Sequence, residues 1–553
     1  MARSKARMYT CCALMLLCVI VLSVCVSLLA RRNCPQGSFS HAAVAADTWT
    51  CSQIGREMLQ KGGSAVDGAI AALLCTSLMN PQSMGVGGGA IFTVMDSTGK
   101  VKIINSRERV PGMFKPDTLK SCPNTFRFLS GGQWIGIPGE LRGYEQAHKL
   151  YGKLPWASLF QPSIQLARQG IPISQILDQY IPHIDSNDSR LLRELFSDKN
   201  GNLLQTGDIV KFETLADTLE TIANLGADAF YTGKIAEDLI RDIQEAGGTL
   251  TLHDMASYKA TVSDAWNITL GEYQMYIPPP PAGGILLGLV LNIMEGYDLN
   301  PESLTGEQKT LFYHRYLEAL KFANGLKRHL RDPQFSLGEL PKKLTEDSFA
   351  DHIRSLITDD TSHEPQYYNM TPYLDTVGTT HVSVLAPDGS AVSVTSSINH
   401  IFGAKIFSPR TGVILNNQLS DFCGKVDRFF PGEQPPSSMS PAVLRSKSKL
   451  LVIGSTGGPM ITTAVASAIM NHVWFGKNLE EAIATPVVFV DSENAVKFEP
   501  NFDTHLIEEL KALGHMSKTA KKFYNVVNAV AKEDGGCIWA VSDARKLGKA
   551  AGY

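Results

Sequence analysis

The chain opens on one long apolar run and continues as short alternating patterns. Residues Met8 to Ala30 are uncharged and mostly apolar, with Arg3, Lys5 and Arg7 before them and Arg31 and Arg32 after. As a helix this run extends roughly 35 Å, enough for a bilayer core. A cleaved leader has a shorter apolar stretch and a small-residue exit. The exit here, Leu28-Leu29-Ala30-Arg31-Arg32, is bulky and basic. The run therefore reads as an uncleaved transmembrane signal anchor (8–30) behind a short cytoplasmic tail (1–7).

Beyond it, the pattern predicts alternating strands and helices with no repeat of fixed period and no evident linker. His41 to Asp47 is strand-like, Cys51 to Lys61 helical, and Ser64 caps a further helix carrying Ala69, Leu73 and Leu74. The run Asn80-Pro81-Gln82-Ser83-Met84-Gly85-Val86-Gly87-Gly88-Gly89 precedes a strand over Ala90–Met95. It follows a helix, the reverse of a dinucleotide fingerprint. Pro278 to Pro281 is a stiff extended segment. Thr305 to Leu330 reads as a helix with a Thr305/Gln308 capping box. Strands His381–Leu385 and Ala391–Thr395 flank Asp388-Gly389, a hairpin signal. Their hydroxyls Ser383, Ser393 and Thr395 read as one face of a half-solvated hairpin. Strand Lys449–Ile453 leads through Gly454-Ser455-Thr456-Gly457-Gly458 to an apolar helix from Pro459 to about Trp474.

Composition narrows the class. At 44% hydrophobic and 19% charged residues the chain is globular. A formal net charge of -3, without a Lys/Arg block, excludes a nucleic-acid face. Four of the ten cysteines lie in the apolar run; Cys34, Cys51, Cys75, Cys122, Cys423 and Cys537 remain. That even, sparse set suits an exported protein with one or two disulfides. No Cys-x-x-Cys pair occurs, so no zinc site is expected. Asn187, Asn267 and Asn369 head glycosylation triplets if the body is lumenal.

The candidate chemistry starts at Gly378-Thr379, at the entry to the hairpin. A threonine hydroxyl needs a base, and its own α-amine serves if the residue begins a chain. That amine has a pKa near ~8. The precursor would then have to break the Gly378–Thr379 bond, and glycine permits a strained backbone there. The dipeptide alone is equally a turn into a strand. Gly457 and Gly458, at a helix start, can aim N–H groups at an oxyanion, or simply allow close helix–strand packing. Arg107 can clamp a carboxylate bidentately. Ser437 and Ser438 add hydroxyl donors, and Asn399 and Asp421 can hold an ammonium.

The joint pattern resembles the gamma-glutamyltransferase family along essentially the whole chain. Most specific is the stretch from Thr379-Thr380-His381-Val382-Ser383 through Asp388-Gly389-Ser390 to Thr395-Ser396-Ser397-Ile398-Asn399 and Phe402-Gly403. Asn80-Pro81-Gln82-Ser83-Met84-Gly85 and Ser408-Pro409-Arg410-Thr411-Gly412 are most similar to the vertebrate branch that acts on glutathione and its leukotriene conjugate. The resemblance implies an α+β N-terminal-nucleophile hydrolase: a four-layer αββα sandwich anchored in the plasma membrane, single-pass type II, with its catalytic body outside. It implies self-cleavage into a large subunit (31–378 outside the membrane) and a small one (379–553). It implies transfer of γ-glutamyl groups from glutathione and its conjugates to water, amino acids or dipeptides, without cofactor or metal. By position, Thr379 is the nucleophile and Ser397 stands where the family usually has a second threonine. Arg107, Ser437 and Ser438 match the carboxylate binders; Asn399 and Asp421 the ammonium binders; Gly457 and Gly458 the oxyanion hole; Cys51 and Cys75 a disulfide. Gln418 departs from a usual glutamate beside the ammonium, and the loop between Asp421 and Ser437 is shorter than usual. The rival readings are an amidase of another specificity on the same fold, or an uncleaved interaction protein.

Overall fold

The computed structural model describes residue 15 and residues 34–123, 128–184, 189–336, 338–370, 378–519 and 525–553. The expected anchor, the cytoplasmic tail and Asn187 therefore lie outside the described residues, Met15 apart. Among the described residues no helix is long and apolar enough to cross a membrane.

In chain order the elements that matter are β1 (Ala43–Ala45), α1 (Trp49–Gln60), α2 (Ala65–Met79), β2 (Gly89–Met95), β3 (Val101–Ser106), β4 (Thr261–Asp264), β5 (Trp266–Leu270), β6 (Tyr273–Ile277), α3 (Gly284–Glu295) and α4 (Gly306–Leu326). After residue 378 follow β7 (Thr380–Leu385), β8 (Ala391–Ser397), β9 (Ala442–Arg445), β10 (Leu450–Thr456), α5 (Met460–Ile469), β11 (Val526–Lys532), β12 (Ile538–Ser542) and β13 (Ala551–Gly552). One sheet runs β13-β1-β7-β8-β2-β3-β4 and the other β12-β11-β10-β9-β6-β5. Every pairing in both is antiparallel.

The sheets face each other across a buried seam. Ala43, Leu385 and Ala391 of the first share one buried cluster with Val443, Val452 and Val530 of the second. The outer face of the first sheet packs Val382, Val384, Val392 and Val394 against α1 and α2. The second sheet packs Leu444, Leu451 and Ile453 against α3 and α5. Helix, sheet, sheet and helix thus lie in four layers, and each fully buried Val or Leu contributes about 1.5–3 kcal/mol. Both sheets combine strands from either side of residue 378, interleaved in the first and side by side in the second. β7, which begins beside Gly378, pairs with β1 in the register Ala43↔Leu385.

Several local expectations hold. Ser64 and Asp67 form a capping box on α2. The β7–β8 hairpin turns at Asp388-Gly389, where Gly389 has φ 83°. Others need correction. α4 begins at Gly306, and Thr305 makes no cap; its hydroxyl donates to Glu302 O at 2.7 Å and is spent on the preceding turn. The hydroxyl face of the hairpin is buried, not half-solvated. Ser393 Oγ donates to Ile453 O (2.9 Å) and Ser383 Oγ to Asn528 O (3.0 Å), so carbonyls of the second sheet satisfy it. Gly454, Ser455 and Thr456 belong to β10 rather than to a loop. Gly454 is required there because a Cβ would sit 2.2 Å from the His381 ring.

Cys51–Cys75 forms, but the count of one or two disulfides was too low. Cys34–Cys537 and Cys122–Cys423 join partners far apart in the chain.

Candidate active site

Thr379 stands immediately before β7, 6% exposed, with φ 93°. A β-branched residue at positive φ is strained, at a cost of about 1–3 kcal/mol. The strain expected at Gly378 therefore sits on its neighbour. Gly378 is needed for a different reason: a Cβ there would lie 1.9 Å from Asn399 O. The Thr379 hydroxyl donates to Ser397 Oγ at 3.3 Å, and Ser397 Oγ also accepts from Asn399 N–H at 2.8 Å. Ser397 ends β8, the strand paired with β7, so the sheet itself sets the two hydroxyls side by side. The carbonyl of Gly378 accepts from Gly457 N–H at 3.3 Å.

Beneath the nucleophile lies a buried ionic group that the sequence reading missed. Lys546 Nζ donates to Thr379 O at 3.2 Å and pairs with Asp47. Asp47 also takes the Thr380 hydroxyl, and Asn528 Nδ2 at 2.8 Å. These residues come from opposite ends of the chain, and no local spacing announces them.

One pocket is lined by Thr379, Ser397, Asn399, Arg107, Gln418, Asp421, Ser437, Ser438 and Gly458, together with Lys425, Pro436, Met439 and Ile461. All the predicted lining residues therefore meet, and Gly457 adjoins through its bond to Gly378. Lys425, Pro436, Met439 and Ile461 carry no signal in the sequence that marks them as lining residues. Arg107 is fully buried. Its Nη2 donates to Asp421 Oδ2 at 2.6 Å and to Pro436 O at 3.1 Å, and its Nε donates to Pro435 O at 3.2 Å. Nη1 is buried without a hydrogen bond and is ion-paired with Glu108 Oε2 at 3.7 Å. Asp421 Oδ2 also accepts from Gln418 Nε2 at 3.2 Å, which leaves Gln418 Oε1 buried and without a partner. The Ser437 hydroxyl accepts from Met439 N–H at 3.1 Å. Burial pushes the Glu108 carboxyl behind Arg107 up to about 7, against the pull of the guanidinium. The Arg107 guanidinium and the unpartnered Gln418 amide oxygen offer a donor and an acceptor on the lining of one pocket.

The loop between Asp421 and Ser437 is held to the preceding half of the chain. Cys423 is bonded to Cys122, and Arg331 forks onto Glu433 at 2.6 and 3.0 Å. Arg109 Nη1 donates to Gly432 O at 2.8 Å. Asn267, on β5, and Asn369 are exposed. Elsewhere His314, Glu318 and His515 bring potential ligand atoms within 4.8 Å. Lys321 Nζ occupies that group, 2.9 Å from His515 Nδ1 and 3.3 Å from Glu318 Oε1.

The fold is that of the cephalosporin acylase from Bacillus halodurans: TM-score 0.84 over 95% of this chain and 97% of that one, at 23% identity. It is also similar to the gamma-glutamyltranspeptidase of Helicobacter pylori, at TM-score 0.54 and 27% identity over 60% of this chain and 95% of that one. These neighbours define the α+β N-terminal-nucleophile hydrolase class that the sequence resemblance implied. In sequence, the model of the Gamma-glutamyltranspeptidase family matches residues 51–553. The chain is 44% identical over 546 residues to the glutathione hydrolase 5 proenzyme of Rattus norvegicus, spanning 95% of this chain and 94% of that protein. The chain belongs to the gamma-glutamyltranspeptidase family.

Proposed function

We propose that this protein is a proenzyme that cleaves itself between Gly378 and Thr379 and then hydrolyses or transfers the γ-glutamyl group of glutathione and glutathione conjugates, the leukotriene type included. The observation that carries the reading is the junction itself. Thr379 is strained at φ 93°, its hydroxyl is held by Ser397, and the preceding carbonyl accepts from Gly457 N–H.

In the first step the Thr379 hydroxyl attacks the Gly378 carbonyl carbon. The C–N bond breaks, an ester forms on Thr379 Oγ1, and the threonine amine is freed. Water then releases residues up to Gly378. Breaking the peptide bond abolishes the strained φ of Thr379, so the strain favours cleavage. Departure of Gly378 also frees the Gly457 N–H.

In the second step Thr379 Oγ1 attacks the γ-carbonyl carbon and its own amine takes the proton. The N–H groups of Gly457 and Gly458 hold the oxyanion. Arg107, Ser437 and Ser438 take the α-carboxylate, while Asn399, Gln418 and Asp421 take the ammonium. The leaving amine receives the proton, and water or an amino-acid or dipeptide acceptor discharges the ester. Relatives named glutathione hydrolase support glutathione as the donor. Three disulfides and the exposed Asn267 and Asn369 support an exported body, and the Met8–Ala30 run supports a plasma-membrane anchor.

Rapid quenching during glutathione turnover, followed by mass measurement of the peptide that begins at Thr379, tests this reading. A γ-glutamyl increment on Thr379 is expected. Glutathione consumed without any such adduct would remove the ester from the scheme, and no consumption would remove the function.

A further inference from the structure

We propose that the buried Lys546–Asp47 pair is a positioning device for the nucleophile: it holds Thr379 by its carbonyl oxygen once the chain is cut, and its two charges pull the basicity of the freed amine in opposite directions. The proposal rests on the self-cleavage and amine-as-base reading above. It adds the groups that act on Thr379 from outside the substrate pocket.

Thr379 is held at three points. Its N–H donates to Ser83 O at 3.3 Å, its hydroxyl donates to Ser397 Oγ at 3.3 Å, and its carbonyl oxygen accepts from Lys546 Nζ at 3.2 Å. The ladder that ties β7 to β8 begins one residue later, at Thr380↔Ser396. Cutting the Gly378–Thr379 bond removes the covalent tie on the other side, and a chain end drifts unless something holds it. In the proposed reaction the nitrogen becomes the base and the hydroxyl the nucleophile. The bond from Lys546 goes to the one polar atom of Thr379 that takes no part in that chemistry, so it can persist through both steps.

Lys546 is itself placed by Asp47; the two side chains are 1% and 0% exposed. Asp47 also accepts from the Thr380 hydroxyl and from Asn528 Nδ2 at 2.8 Å, which fixes it against β7 and β11. Neither member of the pair lines the pocket. The Thr379 carbonyl oxygen is three bonds from its nitrogen, which brings the Lys546 ammonium within the range where a charge moves a titration. That cation favours the neutral amine, the form that accepts a proton, and the Asp47 carboxylate favours the ammonium.

Other ionisable groups surround Thr379. Arg107, Asp421 and Lys425 line its pocket, with Glu108 beside Arg107. On the strands behind it lie Glu140, bonded to Ser396, and His381, which burial holds down to about 3. Burial likewise holds His400, next to Asn399, down to about 4. Asp543 and Arg545 pair beside Asn528. None of these is altered by a substitution at residue 546 or 47, so a difference between variant and unaltered enzyme reads the pair.

The test is the acidic limb of kcat/KM for γ-glutamyl-p-nitroanilide, whose midpoint reports the amine of the free enzyme and does not depend on how much of the protein has matured. It is measured from about pH 5 to 10, around the ordinary range of an α-amine. Lys546→Gln removes the cation and moves the limb to higher pH by about half a pH unit or more, while Asp47→Asn removes the anion and moves it to lower pH by a similar amount. Lys546→Arg keeps the limb of the unaltered enzyme. Damage to the fold alone would not send the two variants in opposite directions. Limbs that stay in place, or that move the same way, overturn the proposal and leave the γ-glutamyl reading intact. If one variant does not mature, the sign of the other's shift decides; if neither matures, the pair belongs to folding or self-cleavage and the proposal falls. An unaltered enzyme that consumes no donor, or that shows no acidic limb, overturns the amine-as-base reading itself.

Discussion

Arg107 and Asp421 stand 314 positions apart in the chain and meet in a 2.6 Å ion pair on the wall of the pocket that holds Thr379. The pair crosses the proposed cleavage point, so each half supplies one pole of the proposed head-group site. Glu108 Oε2 stands 3.7 Å from the same guanidinium. In the proposed binding mode a zwitterionic substrate turns its carboxylate toward Arg107 and its ammonium toward Asp421. Removing one partner of such a buried pair costs about 3–5 kcal/mol because the other charge is stranded.

Asp421→Asn is therefore expected to act twice. It raises KM for γ-glutamyl donors at least tenfold, since a hydrogen bond to a charged group is worth about 1.5–3 kcal/mol. It also lowers the thermal midpoint, because Arg107 loses its partner. Combining it with Arg107→Gln should destabilise less than the sum of the single changes. Steady-state kinetics and calorimetry of the three variants check this, and additive losses would place the residues outside a common site.

Gln418 supplies a neutral amide whose Nε2 already serves Asp421 and whose Oε1 is orphaned. Gln418→Glu puts a second negative oxygen where the ammonium is proposed to sit. A charge-assisted bond exceeds a neutral one by about 1 kcal/mol, so KM should fall several-fold. The empty enzyme should lose stability, because two carboxylates then face each other. An unchanged or higher KM would remove Gln418 from the ammonium site.

Cys34–Cys537 and Cys122–Cys423 both span residues 378 and 379. Cleaved protein should therefore run as one band on a denaturing gel without reductant and as two bands with it. Serine in place of Cys34 and Cys122 together should give two bands without reductant. Separation of the unaltered protein without reductant would exclude both linkages.

Glu140 is fully buried near the first sheet and accepts from Ser396 Oγ at 2.9 Å. Burial pushes its carboxyl up from 4.5 to about 8. The folded form holds a proton that the unfolded chain releases near 4.5. The corresponding stability is complete below 4.5 and is lost as pH rises through about 8. Glu140→Gln should flatten the fall of the thermal midpoint across that window. An unchanged slope would assign the pH dependence to other groups, such as Glu108.

Much of this was legible because local patterns carry their own physics. The Asp388-Gly389 turn between alternating strands indicates the β7–β8 hairpin, and Ser64 indicates the start of α2. The pocket residues became legible only through the family resemblance, since a lone Arg107 or Ser437 has no distinguishing neighbours. What was missed depends on the tertiary fold. Nothing near Asp47 or Lys546 indicates that the two meet beneath Thr379. The hydroxyls of Ser383 and Ser393 look solvated in a strand pattern, and only a second sheet supplying carbonyls buries them. Cys122–Cys423 required knowing that the short loop folds back on the first half of the chain. Thr305 resembles a cap by spacing, but its hydroxyl turns back to donate to Glu302 O and accepts from no helix N–H.

The central claim is that Thr379 becomes the first residue of a chain and the nucleophile. Amino-terminal sequencing of the smaller fragment from purified, membrane-extracted protein tests it most directly, beside a Thr379→Ala control. The account predicts a fragment beginning Thr-Thr-His-Val that is absent from the control. A single intact polypeptide in the unaltered protein, or the same fragment in the control, would contradict it.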